Sequence, residues 1–196
     1  MKKYFKHFIA ITFVSVVAAG CASAPSRFYT LNSTAKADDS PAATYAVMVG
    51  PVSIPAEVDR PQFTVQVAPN RVAVDEFNRW AAPLNDNIAS AVAGDLAVLL
   101  GTARVAAVPL ANFNADYRVT IDIQQFKSVL GKSATIEAVW VVHKSAGGIA
   151  QSGRTVASEP VTGNDFAALA AAHSRALVRV SGDIAVAIRA AADEKP

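Results

Sequence analysis

Tyr117-Arg118-Val119-Thr120-Ile121-Asp122-Ile123-Gln124 alternates apolar and polar side chains without a break. Successive side chains of a strand point to opposite faces, so the stretch predicts a strand with one face on a core and the other in water. The alternation recurs on both sides of it. Downstream, a turn at Gly131-Lys132 leads to Ile136, Ala138, Trp140 and Val142, and Ala146-Gly147-Gly148 turns into a weaker strand through Val156. Upstream, Tyr45, Val47 and Val49 form a short strand that ends at Gly50-Pro51, and Phe63, Val65 and Val67 form another. The turn Pro69-Asn70 leads to a third around Val72 and Val74, and a further strand is predicted near Ala103 to Val108. Pro51, Pro55 and Pro61 cannot donate to a ladder and mark a fixed loop between the first two strands.

Two segments carry the other period. Leu84, Ile88, Val92, Leu96 and Leu99 recur at helical spacing, and Gly101 is well placed to stop that helix. A longer helix carries Phe166, Leu169, His173, Leu177, Val180, Ile184 and Ile188 on one stripe, after Thr162 and Asp165 at capping-box spacing. Amphipathic helices separated by strands need a sheet to bury against. The predicted fold is therefore α/β or α+β: a single domain, with the two helices packed on one mixed, largely antiparallel sheet. No internal repeat is present.

The N-terminus has a different logic. Lys2, Lys3 and Lys6 precede an apolar run from Phe8 to Val17, and Ala18-Ala19-Gly20 supplies the small residues that a signal peptidase admits. The run is too short for a helix that must cross ~30 Å of hydrocarbon. Cys21, the one cysteine of the 196 residues, follows directly, so the junction resembles a lipobox with Ala18 in place of the usual Leu. Residues 1–20 are read as a lipoprotein signal peptide and Cys21 as the acylated first residue of the mature chain. Several acyl chains on that cysteine would anchor it stably.

Residues 21–44 are read as a lipidated N-terminus and tether, with Phe28-Tyr29-Thr30-Leu31 as one apolar island able to dock. A fully flexible tether of that length would reach about 25–30 Å. Residues 45–192 form the domain. Loss of the three signal lysines takes the formal charge from +2 to −1, leaving no basic field to attract nucleic acid or anionic lipid. The 52% apolar content, inflated by the signal and by alanine, is weak support for an internal lipid pocket.

Catalytic patterns are sparse. His143 ends a strand beside a turn, and His173 lies on the helix stripe, where it reads as a core histidine. Neither has a second His or Cys at metal-ligand spacing, and no nucleophile elbow, phosphate loop or dinucleotide fingerprint is present. Asp75 and Glu76 are adjacent at a strand end and should face opposite ways. The expectation is a non-enzyme with no metal and no cofactor other than covalent acyl chains on Cys21. Two clusters stand out: Val49-Gly50-Pro51-Val52-Ser53-Ile54-Pro55 with Asp59-Arg60-Pro61-Gln62, and Phe77-Asn78-Arg79-Trp80-Ala81-Ala82-Pro83-Leu84. Both join proline-fixed backbone to an arginine. Arg60, Pro61, Arg79, Trp80, Pro83 and Leu84 either organise a protein contact, for which Trp and Arg are favoured, or serve as internal architecture.

These clusters, in order after Tyr29-Thr30-Leu31, resemble the ABC-type transport auxiliary lipoprotein family, the PqiC/YmbA-like group. Asp116-Tyr117-Arg118-Val119, Trp140 and the long terminal helix fall where that family has them, over about residues 28 to 190. Asn78 departs from the larger polar or aromatic residue expected before Arg79-Trp80. The resemblance implies work with an MCE-domain protein and inner-membrane transport components that move lipid between two membranes, as a docking or tunnel-end subunit. A homo-oligomeric ring would suit a tunnel end, although nothing in the chain counts protomers. Ala22, in place of the Asp that commonly signals inner-membrane retention, implies the periplasmic face of the outer membrane. A lipid carrier and a structural envelope lipoprotein are the alternative readings.

Overall fold

The computed structural model describes residues 24–107 and 112–193. The signal segment, Cys21 and Val108 lie outside them. In chain order the elements are β1 (Arg27–Tyr29), β2 (Val47–Ser53), β3 (Gln62–Ala68), β4 (Arg71–Trp80), α1 (Leu84–Leu99), β5 (Val105–Ala106), β6 (Tyr117–Val129), β7 (Ser133–Lys144), β8 (Ile149–Pro160) and α2 (Phe166–Asp193). The α/β class with two helices packed on mixed sheets holds. The single expected sheet divides into two, one ordered β5-β2-β6-β7-β8 and the other β1-β4-β3.

Alternation on β6 does what its pattern predicts. Tyr117, Val119, Ile121 and Ile123 are buried, and across the antiparallel ladder they meet Lys144, Val142, Trp140 and Ala138 of β7. The apolar face so formed receives the stripe of α2, on which Leu169, Leu177, Val180, Ile184 and Ile188 are fully buried. The phase then slips, because Ile123 pairs with Ala138 and Gln125 with Glu137, leaving Gln124 as an extra residue. A bulge of this kind moves the inward face by one residue. Phe126 and Ser128 therefore enter the core.

Bulges also explain two strands that outrun their sequence signals. β2 continues past Gly50-Pro51 to Ser53, with a register shift between Val49 and Val52 that absorbs the proline. β4 continues through Asp75-Glu76 to Trp80, its register jumping so that Asp75 faces Phe63 and Arg79 faces Gln62. The Asp75 carboxylate accepts the N–H groups of Phe77 (2.9 Å) and Asn78 (2.8 Å), replacing the lost ladder bonds. Among the described residues, the strand expected near Ala103 to Val108 is the short β5.

Helix ends follow their local chemistry. Gly101 takes a left-handed φ of 63°, and Gly101 and Thr102 donate to Val98 and Ala97, closing α1 with a Schellman turn. At the start of α2, Asp165 itself is the cap, its carboxylate accepting the Ala168 N–H at 2.7 Å. The Thr162–Asp165 capping box is thus replaced by a single Asp cap. His173 is fully buried, stacked on Phe126 (3.9 Å, 11°), with Nε2 at 2.8 Å from Ser128 Oγ. Desolvation pushes its pKa down to about 3, which fixes it as a neutral core histidine.

The segment read as a tether is docked along most of its length. Its apolar island pairs as β1 in parallel with β4 and buries Leu31. Beyond it, the fully buried Asp95 of α1 accepts three bonds on Oδ1, from Ser33 Oγ (2.8 Å), Thr34 N (3.0 Å) and Ala35 N (3.1 Å). Ser181 Oγ of α2 donates to Oδ2 at 3.1 Å, and Ser174 Oγ accepts the Asn32 N–H at 3.2 Å. Gly94 makes room, since a Cβ there would stand 2.8 Å from Ser33 Cβ. Arg189 ties down the far end by donating to Pro41 O and Leu99 O. Burial raises the Asp95 pKa against these hydrogen bonds, because no cation is paired with it among the described residues.

Two predictions follow from this packing. Asp95→Ala strands the Thr34 and Ala35 amides, so those two should lose hydrogen-exchange protection and the fold about 1–3 kcal/mol of stability. His173 binds a proton in the unfolded chain near pH 6.5 but in the native state only near 3, so it contributes stability above 6.5 that is lost as pH falls between those values. Between pH 7 and pH 5 that loss is about 2 kcal/mol. Asp95 works in the opposite sense, its contribution being present at low pH and lost as pH rises through its raised pKa. Urea midpoints should therefore fall on mild acidification, and His173→Gln should flatten the slope.

Candidate functional site

The two sequence clusters meet. Trp80 N donates to Pro61 O (2.7 Å) and Ala81 N to Tyr29 O (2.8 Å), which stitches the Pro61 loop and the strap to the end of β4. The Pro61 loop is itself folded by the bonds Val58 N to Pro55 O and Arg60 N to Val58 O. Between the segments lies a groove of about 390 Å³ lined by Asp59, Arg60, Pro61, Trp80, Ala81, Ala82, Pro83 and Leu84. Pro83 turns the chain into α1, and Asn87 secures that turn by donating to Ala82 O at 2.9 Å.

Floor and rim differ in chemistry. Trp80 is 5% exposed and stacks on Phe63 (4.0 Å, 27°), with Phe126 edge-on at 6.1 Å. Tyr29 and Phe166 complete the aromatic layer, each edge-on to Phe63. Leu84 is buried beside it. The floor is thus core that happens to have one wall on solvent. On the rim, Arg60, Pro61 and Pro83 are exposed, and among the described residues no side chain pairs with the Arg60 guanidinium. An arginine held on short, hydrogen-bonded backbone beside apolar surface is suited to a planar acceptor such as a carboxylate or a peptide carbonyl.

Arg79 does not join the groove. Its Nε donates to Glu76 O at 2.8 Å and its guanidinium lies 3.9 Å from the Glu76 carboxylate, so it serves the β4 bulge. Asn78, the departure noted in the sequence, is buried at the centre of that bulge. It accepts from Tyr29 Oη (2.8 Å) and donates to Asp75 (2.9 Å). Burial works to raise the Asp75 carboxyl, but the bonds from Asn78 and Phe77 outweigh it and hold the pKa below the ordinary range. Phe63 and Phe126 are the site residues that sequence reasoning did not single out. Phe63 was visible only as one member of an alternating strand, and Phe126 was hidden by the bulge at Gln124.

With this geometry in hand, comparison with known proteins places the chain. It belongs to the ABC-type transport auxiliary lipoprotein component family, whose model matches residues 29–185. No functionally curated protein matches it. A crystal structure of a Xanthomonas campestris protein of the DUF330 family is similar at 22% identity and a TM-score of 0.69, over 85% of this chain and 99% of that one. A second crystal structure, of an uncharacterized protein, is similar at 16% identity and the same TM-score, over 84% and 99%. At these identities the likeness is one of fold. The family is one of membrane-associated lipoproteins that serve transport systems, and no helix among the described residues is long and apolar enough to cross a membrane.

Floor and rim should separate by mutation. Trp80→Ala removes the stack on Phe63 and leaves a cavity, at a cost of about 3–5 kcal/mol. Arg60→Ala, at an exposed position with no side-chain partner among the described residues, should change stability by no more than about 0.5 kcal/mol. Chemical denaturation of the two variants measures both.

Proposed function

We propose that this chain is a subunit of an MCE-type intermembrane lipid transport system, anchored through acyl chains on Cys21 to the periplasmic face of the outer membrane. Its groove is the surface on which an MCE-domain protein docks. The observation that carries this reading is the convergence of two segments, Asp59-Arg60-Pro61 and Trp80 to Leu84, on one apolar groove with an exposed arginine at its rim. Buried aromatic floors with an arginine beside them are where binding energy concentrates in protein contacts. Family membership supplies the setting, a transport system served by a lipoprotein. The role is a binding one: the titratable side chains lining the groove are Asp59 and Arg60, neighbours in sequence, with no nucleophile beside them. The acyl chains on Cys21 are the only non-protein group the reading requires.

The lipid-carrier alternative draws less from the molecule. The groove lies near the lower end of ligand-pocket volumes, roughly 300–1,000 Å³, and its floor is packed core. Native mass spectrometry separates the two, since a carrier retains lipid and a docking subunit does not. The direct test is recovery of an MCE-domain protein with this chain from crosslinked envelopes. Arg60→Glu should cut that recovery about tenfold, the equivalent of about 1.4 kcal/mol. Repeated failure of the unaltered chain to recover such a partner would sink the proposal.

A further inference from the structure

The five-stranded sheet ends on a long open edge. β8 is 12 residues long and bonds only β7, whereas the terminal strands β1 and β5 have 3 and 2 residues. The edge of β3 is crossed by the loop before it, where Thr64 Oγ1 donates to Glu57 O at 3.1 Å. The groups that β8 leaves open can be named. Val161 N donates to Lys132 O at 3.0 Å, one step beyond the pair Pro160–Ser133. Residues of an antiparallel strand alternate between exchanging ladder bonds with the neighbour and facing away from it. The register runs unbroken from Pro160 back to Gln151, so Gly153, Thr155, Ala157 and Glu159 bond β7. The N–H and C=O groups of Ser152, Arg154, Val156 and Ser158 therefore point out of the sheet, and all four residues are exposed. This stretch has no lysine, no proline before Pro160 and no bulge, the devices that usually blunt an edge. Free ladder groups in a row accept an extended polypeptide.

The charges beside the edge indicate which polypeptide. α2 lies along β8: Thr155 Oγ1 donates to Asp183 at 2.5 Å, and Arg175 donates to Glu159 (3.4 Å) and to Pro160 O (2.6 Å). Arg179 stands four residues from both Arg175 and Asp183, on the same flank of the helix, and so is level with Ala157. It is exposed, and among the described residues no ion pair holds it. We propose that β8 pairs with β8 of a second copy of this chain, antiparallel about a two-fold axis through Val156. That register sets Val156, 59% exposed, against Val156 of the second copy, and Arg154 against Ser158. Ala157 then faces Thr155 of the second copy, which brings Arg179 level with that copy's Asp183, and symmetry repeats the pair. An axis through Arg154 would instead set two arginines face to face, which opposes pairing. An axis perpendicular to the sheet keeps the helices of both copies on one side, so the two α2 flanks meet over the joined strands. The contact uses none of the residues that line the groove.

Sedimentation equilibrium of the full mature chain, in excess micelles of a density-matched detergent, tests this. The chain should dimerise. Val156→Pro deletes an N–H that β7 does not use, a place where an edge strand tolerates proline, and should leave a folded monomer by circular dichroism. Arg179→Asp should weaken the dimer about tenfold, and the exchanged pair Arg179→Asp with Asp183→Arg should restore it. The exchange decides the matter even if the proline variant fails to fold. A chain that stays monomeric overturns the proposal, as does an oligomer indifferent to Val156→Pro and to Arg179→Asp. So does hydrogen-exchange protection at Val156 that appears only when an MCE-domain protein is added, which would assign the edge to a strand of that protein.

Discussion

A carboxylate without a cation holds this molecule in its working arrangement. Asp95 sits fully buried between the two helices, and its four hydrogen bonds come from the strap and from Ser181 of α2. Burying a charge this way carries a desolvation penalty, which its raised pKa records. The gain is a fixed N-terminal segment. With Thr34 and Ala35 clasped and Leu31 buried, the preceding residues have little choice but to lie beside β4 as β1. Tyr29 is then delivered to both the aromatic layer and the Asn78–Asp75 network.

From that point the groove is assembled by backbone. Tyr29 O holds Ala81, Pro61 O holds Trp80, and Asn87 holds the turn into α1. Apolar packing fixes Trp80 from below while the loops fix its neighbours from the sides. The result is a rigid floor with an exposed arginine above it, a division of labour in which one residue type supplies shape and the other charge. Rigidity matters because each side chain ordered on binding costs roughly 0.5–1.5 kcal/mol, and a floor that is already core has been ordered by folding.

Much of this was legible, and the parts that were not have physical causes. Alternation on β6 and β7 and the stripes of both helices were read correctly because burial on one face writes a period into sequence. Bulges erase that record. Gln124 shifts the phase of β6, so Phe126 falls out of step with the alternation although it is core, and the three-residue bulge after Asp75 made β4 look as though it ended there. The strap was misread for another reason: its Ser, Thr and Ala composition is that of a linker, and what docks it lies elsewhere. Yet a clue was present. Asp95 follows Val92 by three on the apolar face of α1, and Ser174 and Ser181 interrupt the apolar face of α2. Polar groups on an apolar stripe need partners, and the strap backbone is that partner. At the groove, sequence proposed six residues without choosing between contact and architecture; the fold assigns Trp80 and Leu84 to the floor, Arg60, Pro61 and Pro83 to the rim, and Arg79 to a bulge.

With the chain anchored at Cys21 as proposed, the docked strap also changes what that anchor does. A flexible tether of the expected length would let the domain tumble and sample a shell about 25–30 Å deep, so a partner would have to find the groove in many orientations. Docking leaves five residues between Cys21 and β1 and removes most of that freedom. Orientational search is a large part of what slows protein association below the diffusion limit, and restricting one partner to a plane and a fixed aspect reduces it. The cost of ordering the strap is met by folding, before any partner arrives, through Asp95 and the residues that satisfy it.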